Sequence, residues 1–66
     1  MKKRSLTIDG HRTSISLEDE FWEGLKHIAN IRGNTLVDIV KKIDERRNSG
    51  LSSAIRIFVL NYYKDQ

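Results

Sequence analysis

The sequence predicts a small, mainly α-helical domain with a short N-terminal β-strand or hairpin, completed by association with a second chain. Three observations carry this. Residues 12–17, Arg12-Thr13-Ser14-Ile15-Ser16-Leu17, alternate polar and apolar, the period of a half-buried strand. After them come three segments with helical apolar spacing, broken at Gly33-Asn34 and at Asn48-Ser49-Gly50. Finally, the chain has 66 residues and no cysteine. A domain of this size buries only about 60% of its unfolded surface. It is usually reinforced by disulfides, a metal or oligomerisation. Without cysteine, and with His11 and His27 too far apart for a helical ligand pair, oligomerisation is left.

The strand sets the orientation of everything near it. Thr13, Ile15 and Leu17 point one way, and Arg12, Ser14 and Ser16 the other. Its backbone needs a partner, expected to come largely from a second copy of the chain. Residues 4–8 also alternate, and Asp9-Gly10 favours a two-residue type I′ turn. Such a hairpin pairs Ile8 with His11, Leu6 with Thr13 and Arg4 with Ile15, which puts Leu6 and Ile8 on the apolar face. The alternative is a basic arm over residues 1–11 that orders only on binding.

The first helix is expected over 19–32. Glu18, Asp19, Glu20 and Glu23 crowd its start, where acids complement the positive helix end. Phe21, Trp22, Leu25, Ile28 and Ala29 share one face, and Gly33 suits a left-handed C-terminal cap. Thr35 is a good N-cap for the second helix, with Asp38 three residues on. That helix spans about 35–47, with Leu36, Ile39, Val40 and Ile43 as its stripe. The third covers 52–63, with Ser52 as its expected N-cap. Apart from Arg56 and Asn61 it is apolar nearly all round, which calls for burial on nearly all sides, more than one chain of this size can supply. No repeat or linker divides the chain, so residues 1–66 read as one domain.

Charge distribution points to a polyanion. Residues 1–17 hold Lys2, Lys3, Arg4 and Arg12 against Asp9, a net +3 that equals the net charge of the whole chain. A solvated basic tail is the blander reading. No apolar run is long enough to span a membrane, and no apolar stretch follows the basic start as in a signal peptide. The absence of cysteine fits the cytoplasm. Enzyme readings fail on inventory: the carboxylates cluster at one helix start rather than on facing walls, and the glycines are isolated turn residues. His27 reads as a boundary residue rather than a metal ligand. No catalytic residue, metal or cofactor is expected.

Strand, helix, glycine turn and capped helix, in this order and spacing, resemble the ribbon-helix-helix family, the MetJ/Arc/CopG superfamily. The resemblance is carried by residues 12–17, by Phe21, Leu25 and Ile28, by Gly33-Asn34-Thr35, and by Leu36, Ile39, Val40 and Ile43. The strings Lys3–Ile8 and Gly10–Glu18, with Leu51-Ser52-Ser53-Ala54, look like a short bacterial subfamily. The resemblance implies an intertwined two-fold homodimer with an extra C-terminal helix, whose paired strands enter the major groove of double-stranded DNA. Carried over by position, Arg12, Ser14 and Ser16 contact bases. Lys2, Lys3, Arg4, Asn34 and Thr35 contact phosphates. Ile15, Leu17, Trp22, Leu25, Ile39, Ile43, Ile55, Phe58, Val59 and Tyr62 form the dimer core. The implied function is a transcriptional regulator, a repressor, with higher-order assembly on DNA left open. Two other readings remain: an antitoxin of a toxin–antitoxin pair, and a helical dimer that binds only protein. Against the antitoxin stands the expectation of a toxin-wrapping tail, where this sequence stops at Lys64-Asp65-Gln66.

Overall fold

A computed structural model describes residues 1–65. Strands β1 (Lys2–Ile8) and β2 (His11–Leu17) precede helices α1 (Asp19–Arg32), α2 (Leu36–Arg46) and α3 (Leu51–Lys64). The strands form one antiparallel sheet in the register expected from the turn, with Ile8 opposite His11, Leu6 opposite Thr13 and Arg4 opposite Ile15. Asp9 (φ 52°) and Gly10 (φ 80°) both take positive φ, as a type I′ turn requires.

The pairing differs from expectation in its partner. All seven residues of β2 face β1 of the same chain, so a second copy is not needed for that edge. Residues 1–11 are therefore a strand and turn rather than a loose arm, and β1 begins at Lys2 instead of residue 4. Trp22 explains the extension. Its Nε1 donates to the Lys2 carbonyl at 2.9 Å, and the Arg4 guanidinium lies 5.4 Å from the centroid of its ring. One buried indole ties down the start of the basic segment.

The helix ends follow local chemistry. Gly33 closes α1 at φ 69°, with its amide on Asn30 and that of Asn34 on Ala29. Thr35 and Asp38 make a reciprocal capping box at the start of α2: the Asp38 amide donates to Thr35 Oγ1 (3.1 Å) and the Thr35 amide to Asp38 Oδ2 (3.4 Å). At α3 the expected cap is displaced. Gly50 is the N-cap and Leu51 already helical, so Ser52 lies in the first turn. Leu51 packs partly buried against the core, and the cap lies two residues earlier than expected.

Ile8, Ile15 and Leu17 on the inner face of the sheet share one core with Trp22, Leu25, Ile28 and Ala29 of α1. Ile39, Val40 and Ile43 of α2 and Ile55 and Val59 of α3 complete the core. Among the residues expected at a dimer core, Ile15, Leu17, Trp22, Leu25, Ile39, Ile43, Ile55 and Val59 are buried within one chain, while Phe58 and Tyr62 are half-buried. Their burial therefore needs no second chain. As expected for one chain of this size, α3 is not enclosed by its own chain: Ile57 (54% exposed) and Leu60 (58%) face outward. One side of α3 packs on its own chain, the other is open. In this arrangement α3 lies against β2, and α2 against β1.

Candidate nucleic-acid interface

The hairpin has two unlike faces, set by the alternation of its strands. Its inner face meets the core. Its outer face carries three cross-strand pairs: Thr7 with Arg12, Ser5 with Ser14, and Lys3 with Ser16. Five of these side chains are exposed and Ser16 is half-buried. The central serines lie with their hydroxyl oxygens 3.4 Å apart. This face holds two cations, four hydroxyls, and neither a carboxylate nor a large apolar group. Donors that are rigidly spaced on a cationic ribbon suit the acceptor-rich edges and phosphates of a duplex.

Acids border the face but are held. Asp9 in the turn is paired with Lys41 of α2 at 2.9 Å, which raises the Lys41 pKa above its ordinary value. Glu18, directly after β2, accepts from Arg56 Nε at 2.8 Å and Nη2 at 3.4 Å. The hydrogen bond from Arg56 holds the Glu18 carboxyl below its ordinary pKa. Arg56 thus neutralises the acid nearest the end of the ribbon and fastens α3 to the junction of strand and helix.

The structure separates the expected phosphate contacts. Lys3 shares the outer face with Arg12, Ser14 and Ser16. Arg4 does not: it has the inward parity of Leu6 and Ile8, is half-buried, and stacks on Trp22. Lys2 has that same parity, opposite Leu17, although its side chain is exposed at the sheet end. At α2, the Asn34 amide is taken by the Ala29 carbonyl (2.9 Å) and the Thr35 amide by Asp38. The amides left in that first turn belong to Leu36 and Val37, beside the Thr35 hydroxyl, which still has a proton to donate. Ser5 and Thr7 were missed as candidates from sequence. Their signal was the hairpin register itself, which aligns them with Ser14 and Arg12.

Elsewhere, a hollow of about 750 Å³ lies between α2 and α3. Arg32, Lys42, Arg46 and Arg47 line it together with Ile43, Ile57 and Phe58. Its acid is Glu45, so it offers no facing carboxylate pair for acid–base chemistry. No helix among the described residues is long and apolar enough to cross a membrane.

A two-stranded polar ribbon, a glycine-capped helix and a helix with a capping box define a small ribbon-bearing domain of the kind that presents strands to DNA. The ribbon-helix-helix domain family matches residues 1–63, and the chain belongs to it. That family consists generally of non-enzymatic regulators that bind DNA as dimers. No curated protein and no solved structure gives a match.

Proposed function

We propose that this protein is a homodimeric, sequence-specific DNA-binding transcriptional regulator of the bacterial cytoplasm, acting as a repressor by occupying the major groove of its site. The observation that carries this reading is the outer face of the hairpin, cationic and hydroxyl-rich with no acid on it. Arg12 is its long reader of bases, because a guanidinium grips guanine O6 and N7 together. Ser14 and Ser16 add short contacts.

The free edge of β2 supplies the dimer. In a hairpin closed by a two-residue turn, Ile8–His11 is a hydrogen-bonded pair and such pairs recur at every second position. The backbone groups of Arg12, Ser14 and Ser16 therefore point away from β1. A second β2 pairs there about a two-fold axis at Ser14, bringing Arg12 of each chain opposite Ser16 of its partner. Since α3 lies against β2, the open side of α3 with Ile57 and Leu60 belongs to the helix nearest that axis. Apolar surface and unpaired strand edge then favour the same association.

Two measurements test this together. Purified protein should retain duplex fragments with an affinity that falls steeply as salt rises, and selection from random DNA should return one two-fold-related site. Its melting temperature should rise with protein concentration, as mass action requires of a dimer. Salt-independent retention of DNA, or a monomeric mass at micromolar concentration, contradicts the reading.

A further inference from the structure

We infer that β1 is a second DNA-contacting strand, which lies along the phosphate walls of the groove and uses Lys3, Ser5 and Thr7 to set affinity and register rather than sequence. The inference rests on the dimer reading above and goes beyond it, because it gives a function to a strand that a two-stranded ribbon leaves unused.

Geometry carries the argument. Pairing through β2 makes a four-stranded sheet in the order β1, β2, β2, β1. Neighbouring strands lie about 4.8 Å apart, which places each β2 about 2.4 Å from the two-fold axis and each β1 about 7 Å from it. The major groove is about 12 Å wide, with its walls about 6 Å from its centre. The two β2 strands fit between the walls. The two β1 strands come to rest over them, where the sugar–phosphate backbone runs.

Side-chain chemistry agrees with that placement. The outward row of β1 is one lysine, one serine and one threonine, all exposed. Such side chains are common phosphate ligands. The row is not set back from its neighbour, since the hydroxyls of Ser5 and Ser14 lie 3.4 Å apart across the strands. Arg4 is turned inward onto Trp22, and Lys2 has the inward parity at the sheet end, which leaves Lys3 as the charged member of the row. Trp22 holds the strand down by its bond to Lys2, so the row is ordered before DNA arrives and little entropy is lost on binding.

The test uses the full chain and the duplex site selected by the wild type, beside a scrambled duplex of equal length. Lys3→Gln removes one cation from each chain. It should lower the slope of log affinity against log salt by about two units per dimer. The Ser5→Ala/Thr7→Val double variant keeps the charge and the strand propensity. It should weaken binding to both duplexes by about tenfold at fixed salt. Neither variant should change the selected-to-scrambled ratio by more than about twofold, because phosphate contacts carry no sequence information. All three residues are exposed, and unchanged thermal melts confirm intact folding. If both variants bind as the wild type does while Arg12→Ala still weakens binding, β1 stands clear of the DNA and the inference is overturned. A collapse of the ratio in either variant also overturns it, by showing that β1 reads bases. If the wild type itself ignores duplex DNA, the functional reading fails, and that result is distinct from the other two.

Discussion

Replacing Gly24 with alanine tests how α1 and α3 are held together. Alanine in a helix interior is ordinarily worth about 1 kcal/mol over glycine. Here a Cβ on residue 24 would lie 2.9 Å from Val59 Cγ1 and 3.3 Å from Tyr63 Cε2. The tyrosine edge can swing. Val59 cannot, because it is β-branched, nearly confined to one helical rotamer, and only 4% exposed. The helices must therefore separate, and overpacking of this kind costs about 1–3 kcal/mol. After subtracting the propensity gain, Gly24→Ala should destabilise the protein by roughly 1 kcal/mol, lowering the melting temperature by about 4–8 °C. Melts at one fixed protein concentration measure this. A Val59→Ala background provides the control: with the obstructing methyl group gone, the same Gly24→Ala change should stabilise. A rise in melting temperature for Gly24→Ala in the wild-type background refutes the close crossing as the reason for glycine.

Other expectations follow from single contacts. Glu18 is held below its ordinary pKa of 4.5 by Arg56, so the stability from that pair is fully present above about pH 4.5 and is lost as pH falls through the lower folded value. Arg56→Gln should therefore be less stable than wild type at neutral pH, with the gap closing on acidification; a gap independent of pH between 7 and 3 counts against the assignment. Thr35→Ala removes one half of the capping box and should cost about 1 kcal/mol by denaturant unfolding. It should also weaken selected and scrambled DNA by similar factors, measured well below its melting point; a loss confined to the selected site would mean that Thr35 has a part in reading sequence.

Local rules made much of this fold legible. Asp9-Gly10 fixes a turn, the turn fixes register, and register places every hairpin side chain on a face. Gly33 and the Thr35–Asp38 pair punctuate the helices in the same local way. What escaped the sequence depends on long-range contacts. Arg4 counts as surface charge in any tally of a basic N-terminus, yet the ring it covers is eighteen residues away and on another element. The length of β1 depends on the bond from Trp22 to Lys2. The apolar run of α3 could show that the helix wants burial, but not how that burial divides between its own chain and a partner. Ile55 and Val59 turn inward, whereas Ile57 and Leu60 do not, and only the packing of three helices decides which. On the outer face of the hairpin, the placement of Arg12, Ser14 and Ser16 was readable from alternation alone. Ser5 and Thr7 required the hairpin to be followed through to its consequence for the other strand.

The central claim, that the outer face of the hairpin reads DNA, is tested most directly at Arg12, its single arginine. Affinities of wild type and Arg12→Ala for the selected site and for a scrambled duplex should be measured at one salt concentration. Loss of a bidentate contact to guanine should cost about 1–3 kcal/mol per half-site on the selected duplex and much less on the scrambled one, so the ratio between them should fall. Weaker binding with the ratio intact would contradict the account, because Arg12 would then be one more charge near the phosphates and not the residue that reads the site.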